Sequence, residues 1–212
     1  MAYSLVMLGF FAAGVLAARL GVLPRGVEYG QWATWVFYAM LAVAGISVGS
    51  KDRALSLLAR AGWRIAVVPG AVVAGTLLGS AAASLVTGTR VLEALAVGAG
   101  FGYYSLSSIL ITKLAHGLPS IGESLPVVAL LSNICREIVT IVSAPLLARR
   151  LGGYAPIAAG GATTMDSTLA VITKFSGSEY AMVSLFNGVV LTFLVPILVP
   201  LMVRLAAWSR AF

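Results

Sequence analysis

Five stretches of this chain are each long and apolar enough to cross a bilayer: Tyr3–Leu23, Trp32–Val48, Ile65–Val86, Leu125–Ala148 and Met182–Leu205. A helix rises about 1.5 Å per residue, so about 20 mostly apolar residues span the hydrocarbon core. Lipid offers no partner to backbone N–H and C=O groups, so such stretches commit a chain to helices that satisfy themselves. The expected fold is therefore an all-α integral membrane protein. Only 10% of the 212 residues are charged, against roughly a quarter in soluble domains. Mean hydropathy is +1.01. Tyr3–Leu23 lacks a basic leading region and a small-residue cleavage site, so it reads as a retained span rather than a signal peptide.

Two further segments are long enough but broken. Leu92–Leu114 is interrupted by "GAGFGYYSLSS" at 98–108, and Ala155–Phe175 by "GGATTMDST" at 160–168. Each is either a crossing helix with an unwound centre or a hairpin re-entering from one face. Loop charge separates the two. Lys51, Arg53, Arg60 and Arg64 follow the second span, and Arg149–Arg150 follow Leu125–Ala148; both groups belong in the cytoplasm. If both broken segments cross, Arg149 and Arg150 land outside; if both are hairpins, all six basic residues land inside. The hairpins then enter from opposite faces, in the inverted repeat common among secondary transporters. The preferred architecture is five spans and two hairpins, with residues 1–60 as a scaffold and 61–212 as a transport core holding hairpins at 92–114 and 155–175. The N-terminus is then inside and the C-terminus outside.

Irregular backbone at membrane depth persists only beside protein or a watery cavity. Both breaks therefore point to a cavity, and both carry hydroxyls: Ser105, Ser107 and Ser108 in the first, Thr163, Thr164, Ser167 and Thr168 around Asp166 in the second. Taken singly, each hydroxyl is explained by helix capping or back-bonding. "SNICRE" places Arg136 and Glu137 near the middle of a 24-residue apolar segment, where a charge costs roughly 2.5–3.5 kcal/mol on insertion scales. Asn133 precedes Glu137 by four residues and shares its face, whereas Arg136 points about 100° away. The alternative is that Arg136 and Glu137 only fix helix packing. Asp166 likewise stands where it can be the N-cap of "DSTLAVITKF". The candidate substrate- and proton-binding set is Glu137, Asp166, Asn133, Arg136, Ser105, Ser107, Thr163, Thr164 and Ser167.

Function classes narrow accordingly. The net charge of +7 sits in short loops, so it reads as topology and not as a nucleic-acid surface. One cysteine, Cys135, and one histidine, His116, leave no disulfide and no Cys- or His-based metal centre. No HExxH motif is present, nor a Ser/His dyad within the membrane, so an intramembrane hydrolase lacks its chemistry. Paired acids in a dry cavity attract cations, and desolvation favours their protonated forms. Competition between a proton and a cationic substrate for the same carboxylates is a simple antiport mechanism. Half-helix N-termini add a contact for a substrate carboxylate. A ligand bearing both charges is an amino acid, above all a basic one. Proton is the expected coupling ion and sodium the alternative, with no cofactor required. The alternative functions are a transporter of another small amino or organic acid and a non-transporting membrane subunit.

Three blocks carry a resemblance. "GAGFGYYSLSSILIT" (98–112), "SNICREIVTIVSAPLLARRLG" (132–152) and "GGATTMDSTLAVITK" (160–174) are similar, in order and spacing, to signature blocks of the bacterial lysine exporter LysO family. The resemblance covers about the last 120 residues closely and the preceding spans more loosely. It implies a multi-pass inner-membrane exporter of L-lysine, proton-coupled, with its intramembrane acids at Glu137 and Asp166. Longer members carry about three additional N-terminal spans, and "GYYSLSS" stands where Gly-Trp-Tyr-Ser-Leu-Ser-Gly is common. A homodimer is expected, with Tyr3–Leu23 and Trp32–Val48 forming the shared scaffold, because the moving core needs a fixed wall.

Overall fold

The computed structural model describes residues 63–115, 122 and 124–209, with isolated positions 16, 17, 19, 20 and 35. The expected spans Tyr3–Leu23 and Trp32–Val48, most of the basic loop at 51–64 and the turn at His116 lie outside the described residues. Contacts divide the chain into two units, Met1–Ser50 and Lys51–Phe212, and both broken segments belong to the second.

After a 3-10 turn at Trp63–Ala66, the helices of that unit are α1 (Val67–Thr87), α2 (Val91–Gly98), α3 (Tyr104–Ala115), α4 (Leu125–Leu151), α5 (Ala155–Gly160), α6 (Leu169–Ser176) and α7 (Ala181–Trp208). Short 3-10 helices at Gly161–Met165 and Ser178–Tyr180 precede α6 and α7. All regular structure among the described residues is helical. Three helices are long and apolar enough to cross a membrane: α1, α4 and Ser178–Trp208. They match three of the five expected spans. Helix α4 runs three residues past its expected end. Arg149 and Arg150 occupy its last turn, where cations oppose the negative end of the helix dipole, and Gly152 then leaves the helical region with φ 90°.

Helix α4 is ordered inside out relative to a soluble helix. Leu131, Ile138, Val139, Val142 and Leu146 are exposed, each more than half. Ala129, Asn133, Thr140 and Ala144 are buried on the opposite face. The spacing of the buried set, at 129, 133, 140 and 144, is that of one helical stripe. Lipid takes the apolar face, so the polar stripe must turn inward, where other segments satisfy it.

Both broken segments are broken here too, and their neighbours fix how each runs. Along α3, Tyr104 shares a small cavity with Glu137, Ser107 accepts a hydrogen bond from Asn133, and the Ser108 hydroxyl donates to the Pro126 carbonyl at 3.0 Å. Advancing along α3 thus means retreating along α4, so the two are antiparallel. Thr89 and Glu93, at the start of α2, line a cavity together with Ser124 at the start of α4. In the second broken segment, Tyr154 before α5 and Tyr180 after α6 meet edge to face with centroids 5.0 Å apart. The middles of the two segments touch: the Ala162 N–H donates to the Phe101 carbonyl at 2.8 Å.

Candidate functional site

The two breaks are built for that contact. Phe101 is fully buried with φ 49°, and among the described residues it alone, apart from glycine, has positive φ. Gly102 has φ 100° and Gly161 φ 63°. A β-carbon on Gly161 would collide with the Phe101 carbonyl, and one on Gly102 would press on the Gly160 carbonyl at 3.2 Å. Only glycine permits both the left-handed turn and the backbone-to-backbone approach.

Two residues on α4 hold the two tips. Asn133 accepts the Gly102 N–H on Oδ1 at 2.7 Å. Its Nδ2 donates to the Ala129 carbonyl at 2.8 Å and, at 3.4 Å each, to the Val97 carbonyl and the Ser107 hydroxyl. One amide therefore bridges the end of α2, the break and the start of α3. Three residues on, Arg136 donates from Nε to the Ala159 carbonyl at 2.8 Å and from Nη2 to the Ala158 carbonyl at 3.0 Å. These carbonyls form the negative end of α5, where a cation is favoured.

Glu137 and Asp166 come together on one cavity of about 130 Å³, lined also by Tyr103, Tyr104, Ser105, Thr163, Ser167 and Thr192. Glu137 is half-buried on α4, and Asp166 is exposed in the turn before α6. Asp166 is not the N-cap of that helix. The helix starts three residues later, with Thr168 at the cap position, and Oδ1 of Asp166 accepts the N–H of Ser167 at 2.6 Å. The turn at 166–168 opens a gap between the 3-10 helix and α6, which moves the carboxylate from the helix end to the cavity wall.

The other candidates sort by position. Ser105, Thr163 and Ser167 line the cavity of the acids. The Thr163 hydroxyl also bonds the Gly160 carbonyl at 2.9 Å. Ser107 is fully buried against Asn133. Thr164 is buried under α7, where it donates to the Ser184 carbonyl at 2.8 Å and receives Asn187 Nδ2 at 3.2 Å. Asn133 and Arg136 line a separate, larger cavity of about 530 Å³ between α1, α2 and α4. Sequence reasoning missed Thr192, which faces the acids, and Asn187, whose Nδ2 also donates to the Gly161 carbonyl at 2.9 Å. An amide inside the apolar run Met182–Leu205 was the available signal for Asn187.

Membrane-length helices that clasp two broken segments tip to tip, with two acids on a cavity beside the junction, define an integral membrane protein whose polar site lies within its helix bundle. The particular family follows from comparison: the chain matches the family described as lysine exporter LysO over residues 8–203, and it belongs to that family. It is 31% identical to the lysine exporter LysO of Escherichia coli K12 over 192 residues, covering 88% of this chain and 61% of that relative. It is 27% identical to a putative lysine exporter of Haemophilus influenzae over 175 residues, covering 82% of this chain and 83% of the relative. The chain therefore spans under two thirds of the length of the Escherichia coli protein. No solved structure matches.

Proposed function

We propose that the protein is a secondary active transporter that exports L-lysine, or a close basic amino acid, across the bacterial inner membrane by proton antiport. The observation that carries this reading is the convergence of Glu137 and Asp166 on one cavity where two broken segments meet. Two ionised acids match the two ammonium groups of lysine. Tyr103, Tyr104 and Ser105 bring the N-terminus of the 12-residue helix α3 to the same cavity, where the Ser105 N–H, left without a backbone acceptor, suits the substrate carboxylate. Protonation of either acid from the outer side removes one ammonium partner and releases the substrate. The protonated site then returns inward and gives up its proton. The family to which the chain belongs and the names of its relatives support lysine as the substrate.

Both broken segments act as re-entrant hairpins from opposite faces in this proposal. The start of α2 beside the start of α4, where Thr89, Glu93 and Ser124 line one cavity, and the Tyr154–Tyr180 contact support it. The chain works as a homodimer, because the moving core needs a scaffold to move against. The hairpin topology puts Arg150 in the cytoplasm. A single cysteine replacing Arg150 in a Cys135→Ala background should react with an impermeant thiol reagent only from the cytoplasmic side; labelling from outside would mean that the first broken segment crosses.

The functional test is flux. Purified protein in liposomes loaded with labelled lysine should release it faster when the outside is acidified, and addition of a protonophore should remove the stimulation. A sodium gradient that replaces the proton gradient with equal effect would assign the coupling to sodium, which the same hydroxyl and carboxylate oxygens suit. Absence of lysine flux under either gradient would defeat the reading.

A further inference from the structure

The larger cavity holds a cation whose chemistry the proposed transport cycle leaves unused. Arg136 spends Nε and Nη2 on the carbonyls of Ala159 and Ala158. Its Nη1 makes no hydrogen bond within the described residues, yet is not among the occluded polar atoms that lack a partner. It is therefore accessible, and Arg136 lines the 530 Å³ cavity. Both bonds of the guanidinium go to neutral carbonyls and neither to a carboxylate. A guanidinium at membrane depth, anchored at two positions with a third donor left over, is preorganised for an anionic oxygen. The cavity is of a size that takes small ligands.

The geometry points to a carboxylate-binding subsite at Arg136 Nη1, distinct from the Glu137–Asp166 cavity and taking the α-carboxylate of an amino acid. Asn133 and Ser132 line the same wall on α4, and the hydroxyls of Thr76 and Ser80 line the facing wall on α1 and can accept an ammonium group. The cavity reaches Thr89 and Ser124, at the end of α4 remote from Arg149 and Arg150. It shares no lining residue with the cavity of the acids. Substrate leaving the acids would pass into this cavity and exchange the α3 N-terminus for Arg136 as the partner of its carboxylate. That a transported amino acid is the ligand, and that the cavity is its exit, rests on the export reading; the carboxylate subsite does not.

The test reads ligand protection of a single cysteine. Cys135 is the one native cysteine and is replaced by alanine, and Thr76→Cys supplies the reporter. A neutral methanethiosulfonate added to the detergent-solubilised protein should label it. L-lysine and 6-aminohexanoate, which carry a carboxylate, should slow labelling by about tenfold at about ten times their half-saturating concentration. Cadaverine, lysine without the carboxylate, should not. Arg136→Gln should abolish protection. Because Arg136 also holds α5, a second variant leaves that anchor intact: Ser132→Glu places a carboxylate one helical turn before Arg136, where it occupies Nη1. It should abolish protection in a protein that still elutes as a folded species. Glu137→Gln should keep protection while losing export. No labelling, equal protection by cadaverine, or protection that survives Ser132→Glu or vanishes with Glu137→Gln would each overturn the subsite. Intact protection in a protein that shows no lysine flux would sink the export reading and leave the subsite standing.

Discussion

Glu137→Gln and Asp166→Asn should each reduce proton-driven lysine efflux to the level of empty liposomes, while both proteins insert and purify as the wild type does. The amides keep nearly the size of the acids and remove charge and titration together. Glu137 is half-buried and Asp166 exposed, and neither side chain holds the segment junction, so the amides should fold. Binding should weaken as well as turnover. Each variant leaves one ammonium of lysine without its formal counter-charge. The measurement is efflux against an imposed pH gradient, with lysine binding followed separately in detergent. Variants that export at wild-type rates with unchanged pH dependence would make the carboxylates structural and remove the basis of the mechanism.

Gly161→Ala should be strongly damaging for the addition of a single methyl group. Gly161 adopts φ 63° and ψ −126°, a region that side chains rarely enter, at a cost of about 1–3 kcal/mol. Its β-carbon would also collide with the Phe101 carbonyl and lie 3.0 Å from the Arg136 guanidinium. Relief requires the two segment middles to part, which breaks the hydrogen bond from Ala162 to Phe101 and frees Arg136 from α5. The expected result is poor accumulation, or a thermal midpoint lower by on the order of 5–10 °C in detergent. Gly70→Ala in α1 is the control. A β-carbon there meets nothing within 4 Å, and alanine favours a helix by about 1 kcal/mol over glycine, so stability should hold or rise. Equal midpoints for the two variants would show that the junction does not hold the bundle together.

Three of the five expected spans are borne out, and they were legible because their cause is local. A run such as Val67–Thr87 must become a helix wherever it meets lipid, since nothing else satisfies its backbone. The breaks were legible for the same reason: glycines and hydroxyls at 98–108 and 160–168 cannot continue an apolar helix. The two candidate acids stood out by the cost of placing charge in an apolar segment. By itself, then, the sequence determined the helical class of fold and the two interruptions, and it singled out Glu137 and Asp166 as candidates.

Only the tertiary structure decided what the remaining polar residues face. Asn133 and Glu137 lie four residues apart on one face of α4, yet Asn133 is turned into the break of the first segment and Glu137 into the cavity shared with the second. Periodicity gives the face of a helix but not the neighbour on it, and here two segments meet α4 within one turn. Ser107 and Thr164 resembled ligand hydroxyls and serve Asn133 and α7 instead. Asp166 resembled an N-cap until the backbone turned for three residues before α6 began. Arg136 became a clamp on α5 because the end of that half-helix arrives beside it from 22 residues further along the chain. Such pairings are set by where separate segments stop inside the membrane, and no local pattern of residues records that.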